Sequence, residues 1–147
     1  MNTDKSEIGF SIDDAFEDSI LKPGYSTGAL NELSEKVIGC AYKVSNSLGS
    51  GFLEKVYENA LAIELRKNGM LVLQQHAIHV LYDGVVVGDY FADILVENVL
   101  VVEIKALSAL HDSHKAQLLN YLKATTLKLG LLINFGRPKV EIRRAVL

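Results

Sequence analysis

Asp93 stands inside one apolar run, and Glu103 and Lys105 stand two apart inside the next, in the segment Asp93-Ile-Leu-Val-Glu-Asn-Val-Leu-Val-Val-Glu103-Ile-Lys105. A strand sends residues i and i+2 to the same face, so Glu103 and Lys105 point together while Val102 and Ile104 face a core. Charge inside an apolar strand is kept where it is paired, bound to a metal or used in catalysis, because burying it otherwise is costly. Three such groups within thirteen residues form a candidate site. Its chemistry is that of two carboxylates suited to a hard cation, with an ammonium group beside them.

Whether the carboxylates meet depends on the loop between the two runs. If Glu97-Asn98 is a two-residue hairpin loop, Asp93 pairs with Val102 and Glu103 points away from it. A three-residue loop, Glu97-Asn98-Val99, pairs Asp93 with Glu103 and puts both on one face. Asn98 tolerates the left-handed backbone that such a loop often needs. An odd loop or a bulge is therefore expected here.

The elements that must position these groups follow from periodicity. Residues 1–28 show no sustained period and carry Pro23-Gly24, and they read as a tail or a loosely docked arm. Residues 29–48 place Leu30, Leu33, Val37, Cys40, Ala41, Val44 and Leu48 at helical spacing, and Gly49-Ser50-Gly51 ends the run. Residues 52–67 form a second helix, closed by Asn68-Gly69. Short strands are expected at 70–75 and 77–82, the latter running into the hairpin signal Asp83-Gly84. Strands at 85–96 and 100–105 carry the candidate site. A helix follows over about 111–127, then an almost wholly apolar strand at 129–135, as a buried central strand reads. A last, edge strand spans 140–146. The order ααββββαββ makes an α/β fold, with helices against a mixed sheet. Residues 29–147 read as one domain.

Composition bounds the function. The 147 residues suffice for one full core. No apolar run approaches the ~20 residues that span a bilayer. The chain opens on polar and acidic residues without a secretory leader and has one cysteine, Cys40, which excludes an internal disulfide and points to a cytoplasmic address. The formal net charge of −3 is unevenly spread: residues 104–147 hold eight bases and two acids, while the acids concentrate upstream. A basic C-terminal third suits a phosphate-bearing partner or is simply a solvated face. Overall acidity argues against tight, non-specific nucleic-acid binding without a metal. His111, Asp112 and His114 lack the i, i+4 histidine spacing of a helical zinc site.

The motif Gly51-Phe-Leu-Glu54-Lys-Val-Tyr57 resembles the signature of the GxxExxY proteins, a small family of the PD-(D/E)XK nuclease-like superfamily. Asp93 with Glu103-Ile104-Lys105 is similar to the superfamily's catalytic signature, with Ala92 where the name-giving proline stands. Gln117-Leu-Leu-Asn-Tyr121 is similar to the Q-xxx-Y motif of RecB-type nucleases. The resemblance covers roughly residues 29–147. It implies a restriction-endonuclease-like αβββαβ core with an extra N-terminal helix. It also implies a magnesium-dependent nuclease, with manganese as a substitute, acting on DNA.

Hydrolysing a phosphodiester at neutral pH needs an activated water and neutralisation of charge on the phosphorus centre, and a magnesium ion serves both needs. Asp93 and Glu103 would supply carboxylates and Ile104 its carbonyl, while Lys105 would orient the attacking water or stabilise charge on the phosphate. By resemblance, Glu54 reaches the metal directly or through a water. Gln117 and Tyr121, four apart on one helical face, would contact a phosphate or orient Lys105. Lys115, Lys123, Arg143 and Arg144 would meet the DNA backbone, which carries no sequence information. A domain this small covers few base pairs and leaves room for a homodimer or a larger protein partner. Two other readings use the same residues. One is a non-catalytic nucleic-acid-binding or regulatory module on the nuclease fold. The other is a small dimeric interaction protein whose charges form a structural ion-pair network.

Overall fold

The computed structural model describes residues 10–11, 25–125 and 127–147. Two helices come first after the short strand β1 (Phe10–Ser11): α1 (Thr27–Leu48) and α2 (Glu54–Lys67). The Ser26 side chain caps α1 by accepting from the Ala29 N–H at 3.1 Å, which satisfies one of the donors that a helix start leaves free. Gly49 ends it with φ at +70°, a backbone state that costs glycine nothing. The connection to α2 is held from inside. The buried Tyr57 hydroxyl donates to the Gly49 carbonyl at 2.6 Å and accepts from the Phe52 N–H at 3.2 Å, while its ring stacks on Phe135 at 4.7 Å.

The sheet follows: β2 (Val72–Tyr82), β3 (Val85–Val96), β4 (Leu100–Lys105), then α3 (Asp112–Ala124), β5 (Leu129–Asn134) and β6 (Glu141–Val146). The strands lie in chain order β1 to β6. All neighbours are antiparallel except β4 and β5, which α3 connects as parallel strands. Asp83 and Gly84, with φ of +50° and +75°, make the two-residue turn between β2 and β3 that their types favour.

Alternation along the strands gives the sheet two apolar faces. On one, Val102, Ile104, Leu131 and Ile133 pack under α1 and α2, with Val37, Tyr57 and Leu61. On the other, Val101, Leu132 and Ala145 pack under α3 with Leu118 and Leu122. The restriction-endonuclease-like α/β fold, a mixed sheet flanked by helices with α1 as the extra N-terminal helix, is the architecture found.

Two expectations change in detail. Residues 70–75 and 77–82 do not form separate strands; they join into β2, whose ladder to β3 runs on through Gln74↔Ile94 and His76↔Ala92. The polar Gln-Gln-His stretch interrupts the apolar alternation, and Gln75 alone takes a left-handed φ of +51° without leaving the strand. Phe10–Ser11, within the segment expected to be a tail or arm, pairs with β2 at Val80 and His79. The other residues of 1–24 lie outside the described part of the chain.

The far end of β4 is fixed to the β5–β6 turn. Asn134, wholly buried, accepts from the Leu107 and Gly136 N–H groups and donates to the Leu107 carbonyl and to Glu141. Gly136 lies so close to the Leu107 backbone that a Cβ there would overlap it. Gly136→Ala is therefore expected to destabilise the protein by about 1–3 kcal/mol, the range for overpacking a closed site, as read by urea denaturation.

Candidate active site

The loop between β3 and β4 is Glu97–Asn98–Val99, closed by the pairing of Val96 with Leu100. Three residues is the odd length that brings Asp93 opposite Glu103. Glu97 and Asn98 both take a left-handed backbone, with φ of +52° and +57°. Glu97 is held there by Leu71, whose N–H meets the Glu97 carboxylate at 2.5 Å and whose carbonyl accepts from the Glu97 N–H at 2.9 Å.

The β3–β4 ladder stops at Ile94↔Val102, one step before Asp93. From that point the Asp93 side chain replaces the backbone acceptor: its Oδ2 takes the Ile104 N–H at 2.8 Å, while the Asp93 N–H reaches Glu103 Oε1 at 3.4 Å. Ile94 and Val96 face the α1–α2 side, whereas Tyr90 and Ala92 face the α3 side, so the strand changes faces at Asp93. Gln75, opposite in register, is the residue with the left-handed φ. In an extended strand the N–H and C=O of one residue point to the same edge. The Ile104 carbonyl therefore points toward the gap that β3 leaves.

Burial and crowding govern the charges. Burial, then repulsion by Asp93, pushes the Glu103 carboxyl up to about 7, against an opposing hydrogen bond from the Tyr90 hydroxyl. Burial also raises Asp93, with repulsion from Glu58, although the Ile104 N–H and the Gln75 amide favour its charged form. Burial raises the Tyr90 phenol, and the neighbouring Glu103 carboxylate adds to it. Tyr90 stacks on Tyr121, with ring centroids 3.6 Å apart, which joins β3 to α3.

A cleft of about 130 Å³ opens on the α3 side, lined by Tyr90, Glu103, Lys105, His114, Gln117 and Tyr121 among others. The structure thus brings together Glu103, Lys105, Gln117 and Tyr121, with Asp93 attached through its bond to Glu103. His114 also caps α3, its ring nitrogen accepting from the His111 N–H at 3.1 Å.

Other residues lie elsewhere. Glu54 sits at the exposed first turn of α2 and makes no hydrogen bond or ion pair among the described residues. One turn on, Glu58 is almost wholly buried and is joined to Asp93 through Gln75, whose amide donates to Glu58 Oε1 at 2.8 Å and to Asp93 Oδ1 at 3.1 Å. Sequence reading missed both Glu58 and Gln75. The signal for Glu58 was present: it falls in the buried stripe of Leu61, Ala62 and Leu65, at helical spacing. Lys115 and Lys123 are exposed on α3. Arg143 shares the α3 face of β6 with Ala145, but Arg144 points the other way, to Asn31 of α1 at 2.8 Å. The four basic residues therefore do not form a single surface.

Among the described residues no three His, Cys, Asp or Glu side chains converge as a metal cluster. Magnesium asks for less, since one or two carboxylates with carbonyl and water oxygens hold it. Asp93, Glu103 and the Ile104 carbonyl form an all-oxygen set of that kind. The mutual repulsion of the two carboxylates is what a cation would relieve, so the residues fit a hard divalent ion.

The raised Glu103 carboxyl has a consequence for stability. Its folded value, about 7, lies above the usual carboxylate value that holds when unfolded. The stability it contributes is present below that unfolded value and is lost as pH rises through about 7. Urea denaturation in the absence of divalent ions should show wild type losing more stability than Glu103→Gln between pH 5 and pH 8. Equal losses would mean that Glu103 carries no such shift.

A family model described as the PD-(D/E)XK nuclease superfamily matches residues 31–145. No curated protein and no solved structure matches the chain.

Proposed function

The chain belongs to the PD-(D/E)XK nuclease superfamily, and from that premise we propose that it is a magnesium-dependent nuclease that hydrolyses phosphodiester bonds in DNA. The observation that carries this reading is the paired Asp93 and Glu103 carboxylates beside Lys105, at the break in the β3–β4 ladder. The Gly51–Tyr57 motif supports placing the chain among the GxxExxY proteins. In this reading residues 29–147 are the catalytic domain of a cytoplasmic protein.

Asp93, Glu103 and the Ile104 carbonyl would hold magnesium or manganese. When bound, the ion neutralises charge on the phosphate and makes a water more acidic. Lys105 projects from the same face as Glu103 and donates to a non-bridging phosphate oxygen or to the attacking water. Gln117 and Tyr121 border the cleft and fix the phosphate's approach. Tyr121 also backs Tyr90, whose hydroxyl holds Glu103 in place. Lys115 and Lys123 on α3, with Arg143, extend the positive contacts for the DNA backbone on that side, and Arg144 serves the opposite face. Glu54, at the exposed start of α2, and the buried Glu58 are both candidates to complete the oxygen shell.

The deciding experiment incubates labelled single-stranded, duplex and branched DNA with magnesium or manganese. Wild type should cleave only with metal, and Lys105→Ala should lose about 100-fold or more in rate, the scale of removing one preorganised charge-stabilising donor. A well-folded wild type that cuts none of these substrates would favour the binding module over the enzyme. Manganese affinity of wild type should fall as pH drops below about 7, because Glu103 must give up its proton to take the ion. Calorimetric manganese titration separates the two helix acids: Glu58→Gln should weaken binding several-fold and Glu54→Gln less. The reverse order would reassign the ligand to Glu54.

A further inference from the structure

Three side chains that line the cleft carry hydrogen-bond donors that no group accepts among the described residues. Lys105 comes from β4, and His114 and Gln117 lie one turn apart on α3. The Lys105 ammonium and the Gln117 amide make no hydrogen bond or ion pair among the described residues. The His114 ring makes one, at the start of α3. Its Nδ1 accepts from the His111 N–H at 3.1 Å, half of a reciprocal cap in which the His111 side chain accepts from the His114 N–H.

That bond decides what the ring can do. A nitrogen that accepts presents a lone pair, so the hydrogen of the imidazole sits on Nε2. With Nδ1 engaged and Nε2 carrying the hydrogen, the ring has no lone pair left for a metal ion or for a proton from water. It keeps one directed donor, Nε2–H, without a partner among the described residues. The ring is half-buried and held by the cap, so little freedom is lost when that donor is used. One cation and two neutral donors around one cleft suit an anion with several oxygens.

We propose that His114 is a phosphate-binding residue, donating from Nε2 to a non-bridging oxygen of the phosphodiester that Lys105 and Gln117 also meet. The proposal rests on the nuclease reading of the cleft and adds a substrate contact to it. Asp93 and Glu103 serve the ion, while His114 serves the anion. The contact is made to bound substrate and transition state alike, so it acts on KM more than on kcat.

Three substitutions separate this role from capping. His114→Ala removes both cap and donor and should raise KM for DNA about tenfold or more, the scale of one hydrogen bond to a charged group. His114→Gln supplies an amide oxygen for the cap and an amide nitrogen for the phosphate, and should recover most of that loss. His114→Glu supplies only the cap, as the usual acid of a capping box, and should not recover it even with an undiminished thermal melt. Equal KM values for the Gln and Glu variants would reduce His114 to a cap and overturn the proposal. Nitrogen NMR of the metal-free wild type reads the site without catalysis. His114 should show the Nε2–H tautomer, and its Nε2 signal should shift as dimethyl phosphate is added. The Nδ1–H tautomer, or an unmoved signal, overturns the assignment. If the protein cuts no DNA but this signal moves, the nuclease reading fails while the phosphate contact stands.

Discussion

One hydrogen bond organises the functional half of this molecule, that from the Ile104 N–H to the Asp93 carboxylate. In an uninterrupted antiparallel ladder a β3 carbonyl would serve the β4 donor. Here a side chain substitutes for it, so the ladder ends without leaving the Ile104 donor unsatisfied. β3 is then free to change faces, which carries Tyr90 beneath α3 and opens the gap toward which the Ile104 carbonyl points. The cleft and the early end of the β3–β4 ladder both follow from this substitution. Neither could exist if β3 and β4 stayed paired along their length.

The substitution places a carboxylate between strands and brings it against another. Burial raises the proton affinity of both acids, and repulsion adds to it, from Asp93 at Glu103 and from Glu58 at Asp93. The surroundings offset only part of this cost. The Tyr90 hydroxyl steadies Glu103, while the Gln75 amide stands between Asp93 and Glu58. Two crowded, partly buried carboxylates cost stability at neutral pH, so the arrangement is poorly explained by stability alone. A bound cation resolves the conflict, because it favours the charged form of both acids.

Rigidity around the site comes from neutral groups. Asn134 ties the β4–α3 connection to the end of β5, and the Lys105 carbonyl accepts from the Phe135 N–H at 2.8 Å. Phe135 stacks on Tyr57, which in turn holds the α1–α2 connection. The tyrosine of the Gly51–Tyr57 motif thus acts from the core, with its hydroxyl at the edge. It links the helices to the end of the strand that carries Lys105.

The amino-acid sequence alone pointed to the helices and most of the strands, the two-residue turn at Asp83-Gly84, an odd loop or bulge after Val96 and the shared face of Glu103 and Lys105. Each of these rests on a period of two or 3.6 residues, or on the backbone preference of a glycine or asparagine, and is decided within a few positions of the chain. Only the tertiary structure decided that β2 runs unbroken past Gln75. It also decided that Glu58 joins the acids from the opposite side of the sheet, that Arg143 and Arg144 part to different faces, and that β3 leaves β4 at Asp93. These depend on how a helix lies on the sheet and where two paired strands change faces together. Such relations are set by contacts between distant segments, which no local pattern encodes.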